Sequence, residues 1–414
     1  MIMRKAAATL SLVGVLLSVP ALPGELKLKE SDHKNLSKSV SGYFTAMIEE
    51  KGINEALQKV MDQIATTEKR LKGQKLLAAV GDWEQIFRMV TEDRLKETLK
   101  KKGEVAEAKF QANNIELSFA YCVPKKPAKG SLPLVLIACD SGETPSAHLN
   151  TFWNDPAIRE AAVLMAIDLG KEAQSWGMFG SPTSPGGGFR LMTALGQIQR
   201  EFSVDCNRRF VVGSGKGFAA VEATSTSYPH LFAGVIGIGD VAVVDAGSLE
   251  NFRSLPTLLL KGGEGAKAID AKLAELGFAN CKLEAEGSAV QAWDWMSKNP
   301  RRAYPDHITF VPRQDNDRAA HWITLSGFQA SEGPRIDAKA DKTTNTVTID
   351  AQKISDLFVY LNDELVDLDK PVKFVVNGTL HESMLERNAP DMIKNQYRSG
   401  DWGRVFSVLV PDLK

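Results

Sequence analysis

The run Arg209-Phe-Val-Val-Gly-Ser-Gly-Lys-Gly217 sets a short apolar stretch directly before a glycine-rich turn. Such a turn lets a strand and a helix approach closely, and a serine or lysine inside it can serve as a nucleophile or a phosphate ligand. The phosphate reading fails on spacing. A Walker loop needs a glycine where Phe210 stands, and a serine or threonine where Gly217 stands. Histidine, the usual general base, is scarce, and none falls between His230 and His307. His321, in Ala320-His321-Trp322, is the histidine best suited to catalysis or sugar contact, although a histidine beside an aromatic is more often a core or domain-junction residue. Asp315, Asp317, Asp337 and Asp341 hint at calcium, but no D-x-D-x-D-G loop follows them. Cys122, Cys139, Cys206 and Cys281 are widely spaced, with no C-x-x-C, which argues against a zinc or thioredoxin-like site. They allow up to two bridges, and free buried thiols are the simpler expectation in a chain this long. The reading therefore contains no metal and no cofactor.

These residues belong to a chain of 414, enough for two or three domains with their own cores. Fifty Lys and Arg balance fifty-one Asp and Glu, so no excess of positive charge is available for phosphates and nucleic acid is not an expected partner. Arg4 and Lys5, then the apolar Ala6 to Val19, then Val19-Pro20-Ala21, have the layout of an export signal cleaved after Ala21. No later segment reaches the 18 or so apolar residues of a membrane span. A secreted or periplasmic protein with no membrane span after cleavage is expected.

The apolar pattern predicts the elements that must carry the turn. Residues 1–21 are the signal, and 25–103 read as a helical prefix, with Leu36, Val40, Phe44, Met47 and Ile48 on one face and Trp83, Ile86, Phe87 and Val90 on another. From Glu104 the pattern changes to extended segments, with a turn at Ala112-Asn113-Asn114. Leu132–Ala138 follows as a continuous apolar run of the kind buried on both faces of a parallel sheet. Strands recur at 162–167, 209–212, 234–238 and 257–260, with helices between them, of which the stretch from Phe189 to Phe202 is the clearest. That alternation predicts an α/β domain over 104–312 with a doubly covered, mostly parallel sheet. Short alternating segments over 330–414, with Asn377-Gly378 as a hairpin turn, predict a small β-rich module.

The strand, glycine turn and helix at 209–227, with Tyr228-Pro229-His230-Leu231-Phe232-Ala233-Gly234-Val235 after them, resemble the α/β-hydrolase fold. The likeness is to secreted esterases of the polyhydroxybutyrate depolymerase and feruloyl esterase type. Asp205 to Arg209 resembles the lead-in to that strand, and Trp293 to Met296, Arg301, Pro305 and the strand 307–311 resemble the family's closing helix and exit. The resemblance covers about Glu104 to Pro312. It implies a G-x-S-x-G elbow whose apex serine attacks an ester. Here Gly213 and Gly217 take the flanking places and the apex is Gly215, which offers no nucleophile. Ser214 stands one residue early. The acid implied after the strand 257–260 matches Glu264 most nearly, and the loop implied to hold the histidine, at Gly287-Ser288-Ala289, has none. Where the family has His-Gly beside its oxyanion hole, this chain has Cys139-Asp140, and a carboxylate there opposes a developing oxyanion.

The sequence thus supports three functions. One is a non-catalytic pseudoenzyme that binds a polysaccharide, ester or protein ligand outside the cytoplasm. Another is an ester hydrolase with a rearranged site of Ser214, Glu264 and His321. The third is a structural or assembly protein that uses the prefix or the β-module as its interface.

Overall fold

The computed structural model describes residues 28–413, apart from 73, 113–114, 128–129, 172–174, 242 and 244. The expected signal at 1–21 and the Asn113-Asn114 turn lie outside the described residues. Three helices open the chain: α1 (Glu30–Glu49), α2 (Ile53–Arg70) and α3 (Val80–Glu92). Leu36, Val40 and Phe44 of α1 and Trp83, Ile86, Phe87 and Val90 of α3 are buried, as their spacing predicts, whereas Ile48, in the last turn of α1, is exposed.

The central sheet contains β1 (Ala106–Ala112), β2 (Ile115–Cys122), β3 (Leu132–Ala138), β4 (Val163–Ile167), β5 (Val204–Ser214), β6 (Gly234–Ile238), β7 (Thr257–Leu260) and β8 (Cys281–Glu284). Their spatial order is β1-β2-β4-β3-β5-β6-β7-β8. β2 runs antiparallel to β1 and β4, and every pair from β4 to β8 is parallel. β3, β4, β6 and β7 are buried along their whole length, which is why they read as unbroken apolar runs. Helices α4 (Pro145–Thr151), α5 (Pro156–Ala161) and α9 (Ala289–Lys298) cover one face, where Leu149, Ile158 and Ala292 meet Val135, Ile137 and Val212. Helices α6 (Gly187–Glu201), α7 (Phe218–Ser227) and α8 (Glu264–Glu275) cover the other, where Leu191, Phe218 and Ile269 meet Leu134, Leu136 and Val211. This is an α/β-hydrolase-like sheet. Its strand order reverses between β3 and β5, so a crevice opens beyond their C-terminal ends, the usual ligand position in such sheets.

The remaining strands build a β-module of two sheets. β10 (Ala319–Ala320), β11 (Ile323–Gly327), β14 (Asp356–Leu361) and β17 (Val408–Leu413) form one sheet. β9 (His307–Phe310), β12 (Arg335–Asp341), β13 (Thr346–Gln352), β15 (Val372–Val376) and β16 (Thr379–Ser383) form the other. Here the structure corrects the sequence reading. The strand at 307–310, expected as the exit of the 104–312 domain, pairs antiparallel with β12, Ile336 opposite Phe310. The physical reason is burial. β8 is a half-exposed edge that offers little cover, whereas Ile308 and Phe310 are fully buried among Ile336, Ala338 and Ile349. β10 and β11 likewise extend the module to before residue 330.

The helical prefix shares a core with the far end of the chain. Leu36, Phe44, Trp83 and Phe87 pack with Cys206 of β5, with Met392 and Ile393 of α10 (Ala389–Ser399) and with Trp402. Tyr304 joins the two ends through hydrogen bonds. Its hydroxyl donates to Glu84 Oε1 at 2.9 Å and accepts the Val405 N–H at 2.8 Å. Burial pushes the Glu84 carboxyl up to about 7 in spite of that bond.

The β15–β16 hairpin confirms its turn, with Val376 opposite Thr379 and positive φ at Asn377 (47°) and Gly378 (85°). A methyl group at Gly378 would meet nothing within 4 Å, so only backbone strain opposes a side chain there. Gly378→Val is therefore expected to lower stability by roughly 1–3 kcal/mol, the usual size of such strain. A thermal melt against the unmodified protein checks it.

Candidate functional site

The expected turn forms where β5 meets α7. β5 ends at Ser214, Gly215 has φ of 47°, and α7 begins at Phe218. The flanking glycines are required by close approach. A methyl at Gly213 would stand 2.4 Å from Phe218 Cα, and one at Gly217 would stand 2.4 Å from the Cys139 carbonyl oxygen. A methyl at Gly215 would stand 2.3 Å from Asp140 Oδ2 and 2.4 Å from its Cγ. The Asp140 carboxylate thus occupies the space that a side chain at the apex would need.

Asp140 is held there by backbone donors. Its Oδ1 accepts the Lys216 N–H at 2.9 Å and the Ser141 N–H at 2.7 Å. In an elbow of this kind the oxyanion is bound by the N–H of the residue after the apex and by one from the loop after β3. Lys216 and Ser141 stand at those two places, and one carboxylate oxygen takes both bonds.

A cavity of about 580 Å³ opens beside this turn, at the C-terminal ends of β3, β5, β6 and β7. Asp140, Glu143 and Asp240 bring negative charge to its wall, and Lys216 and Lys261 bring positive charge. Phe152 lies between two of the wall groups. It stacks on His148 with centroids 5.9 Å apart, and the Lys261 ammonium sits 5.5 Å from its ring centre. Cation and imidazole on an aromatic ring make a stiff platform.

The structure does not bring the residues of the rearranged triad together. Ser214 reaches the cavity wall, and its buried Oγ has no hydrogen-bond partner among the described residues. Glu264 is exposed at the start of α8, where Lys267 pairs with it at 2.7 Å. His321 is buried, and its Nε2 lies 2.7 Å from Ser254 Oγ, three residues before β7 begins and so at the end of the sheet away from Ser214. Burial, helped by the Arg404 and Arg301 guanidinium groups, pushes the His321 imidazole down to about 3. It is neutral at physiological pH and a poor proton acceptor. The sequence linked Ser214 and His321 by type alone, and the β-module carries the histidine to the opposite end of the strands.

Sequence reasoning missed His148 and Glu143. Thr144 caps α4 and Pro145 takes its first position, which sets Glu143 just outside the helix and His148 one turn in. Glu143 Oε2 lies 2.8 Å from His148 Nδ1. The imidazole is 3% exposed, and its Nε2 has no hydrogen-bond partner among the described residues. The signal available was Cys139-Asp140-x-x-Glu143-Thr-Pro-x-x-His148, polar residues of ligand type clustered where a buried strand ends. Cys139 is buried, and burial with the nearby Glu143, Asp168 and Asp140 carboxylates holds its thiol far above the ordinary range. All four cysteines are free, and three of them are buried.

The α/β-hydrolase-like fold follows from the strand order, the antiparallel second strand and the strand–glycine turn–helix crossover at β5 and α7. No known family's profile matches the chain, and no curated protein matches it. Solved structures similar to it include a thermostable esterase, 18% identical, with a TM-score of 0.39 over 48% of this chain and 64% of that one. A ferulic acid esterase is 12% identical, with a TM-score of 0.37 over 47% of this chain and 94% of its own. An S-formylglutathione hydrolase from Agrobacterium tumefaciens is 13% identical, with a TM-score of 0.35 over 47% and 94%. No described helix is long and apolar enough to cross a membrane.

Proposed function

We propose that this chain is an exported, non-catalytic binding protein on an esterase-type α/β-hydrolase fold, made of a helical prefix, a hydrolase-like domain and a β-module. One observation carries the reading: the Asp140 carboxylate fills the space of an apex side chain and accepts the Lys216 N–H. An elbow in that state has neither a nucleophile nor a free donor for an oxyanion. The cavity beside it keeps charges of both signs around the Phe152 platform, which suits a polar ligand such as the end of a polysaccharide. A second reading, ester hydrolysis by Ser214, is favoured by a different observation from the one that suggested it in the sequence. Ser214 Oγ and His148 Nε2 are both unpartnered among the described residues, both residues line the cavity, and Glu143 orients the imidazole.

A fluorophosphonate probe and p-nitrophenyl acetate separate the two. The binding reading expects no labelling and background turnover, with thermal stabilisation by oligosaccharides that is lost in Phe152→Ala. Labelling that disappears in both Ser214→Ala and His148→Ala would establish the hydrolase instead.

A further inference from the structure

We propose that Cys139, Glu143 and His148 form a site for a divalent transition-metal ion of the zinc class, set into the wall of this cavity. One donor atom from each, the Cys139 sulfur, a Glu143 oxygen and a His148 ring nitrogen, lies within 4.8 Å of the others. Zinc binds sulfur at about 2.3 Å and imidazole nitrogen at about 2.0–2.1 Å, so donors around one ion stand some 3–4 Å apart. Small side-chain rotations close that difference.

The second observation is the state of His148. Its ring is buried, its Nδ1 edge is held by Glu143, and Nε2 has no partner among the described residues. The 2.8 Å between Nδ1 and the Glu143 oxygen is already the spacing of two donors on one ion, so an ion can replace the Nδ1 proton, which passes to the unpartnered Nε2. Position supports the same conclusion. Cys139 directly follows β3 and packs in the same core as Leu149 of α4, so both groups are fixed by packed backbone.

The donor set selects the metal. A thiolate and an imidazole suit zinc, whereas calcium and magnesium require oxygen donors throughout. On binding, the Cys139 thiol loses its proton to solvent and the sulfur's electron pair forms the bond to the ion, with no change of oxidation state. Three protein donors leave one coordination position, as in zinc sites that accept an outside ligand. Glu143 and His148 are also wall residues of the cavity. The inference goes beyond the binding reading and stands whether or not Ser214 is reactive.

Cobalt(II) is the probe. The full chain, stripped with a chelator, is expected to take up one equivalent of Co²⁺, with a near-ultraviolet sulfur-to-cobalt band and visible bands of a tetrahedral ion, both displaced by Zn²⁺. Cys139→Ser should remove the near-ultraviolet band. Glu143→Gln and His148→Asn should weaken uptake at least about tenfold. Cys281→Ser, at the sheet edge, should change nothing. Circular dichroism identifies any variant that fails to fold. If Cys139→Ser fails, X-ray absorption of the zinc-loaded wild type decides, with one sulfur scatterer expected. No stoichiometric uptake by the folded wild type, a band that survives in Cys139→Ser, or zinc without a sulfur neighbour would overturn the proposal.

Discussion

Placing a serine at the elbow apex, Gly215→Ser, is expected to destabilise the protein and to leave ester hydrolysis at background. Two costs add. Gly215 has φ of 47°, a conformation that costs a side chain roughly 1–3 kcal/mol. A Cβ there would also lie 2.3 Å from Asp140 Oδ2, so the carboxylate must leave the Lys216 and Ser141 N–H groups. Losing hydrogen bonds to a charged group costs roughly 1.5–3 kcal/mol, and a total of about 2.5–6 kcal/mol should appear in urea unfolding. Adding Asp140→Gly should return part of that loss, because it clears the space and removes the displaced charge. Turnover of p-nitrophenyl acetate stays near background if the new hydroxyl has no positioned base. Strong turnover by Gly215→Ser alone would show that a base in the cavity wall, such as His148, already serves the apex.

A second large effect is expected at Asp401. Its carboxylate is buried and bound by Arg301 at 2.6 and 2.9 Å, by Arg209 at 3.0 Å and by Arg404 at 3.0 Å. Arg209 belongs to β5, Arg301 follows α9, and Asp401 and Arg404 follow α10. The cluster therefore ties the central sheet to the C-terminal module. Asp401→Ala would leave three guanidinium groups at the junction without their shared counter-ion. Breaking a buried pair from one side costs about 3–5 kcal/mol, and that loss is expected in urea or thermal unfolding. Burial alone would raise the Asp401 carboxyl, but Arg301, Arg209 and Arg404 outweigh it and hold the group well below the usual carboxylate range. The native state thus binds fewer protons than the unfolded chain. The stabilisation is fully present above the unfolded value of about 3.9 and disappears as pH falls towards the folded one. Unfolding midpoints measured through that acid range should decline for the wild type and decline less for Asp401→Asn.

Much of the architecture was legible locally. β3, β6, β7 and α7 fall at the residues that apolar runs and glycine turns marked, because burial on both sheet faces and sharp backbone turns leave signatures within a few residues. The glycine elbow was legible for the same reason. Gly213 and Gly217 are small because backbone passes within 2.4 Å of where a Cβ would stand, and Gly215 carries no nucleophile whatever surrounds it.

Other features depend on partners far away in the chain. His307–Phe310 looks like any short apolar strand, and only the half-exposed β8 on one side and the buried core around Ile336 on the other decide which sheet it joins. His321 and Ser214 were plausible partners by residue type until the β-module carried the histidine to Ser254. Asp140 was recognisable as unfavourable to an oxyanion, but its place above Gly215 depends on β3 lying beside β5, 76 residues apart at the Lys216 bond. His148 and Glu143 gave a weak signal because their significance lies in burial and an unpartnered nitrogen, and no local pattern encodes either. By itself, the sequence determined the strands, the turns and the missing apex side chain, since these rest on local sterics and periodicity. The tertiary structure decided which polar groups meet, since a hydrogen bond or a metal site needs atoms within a few ångströms and chain separation sets no limit on that.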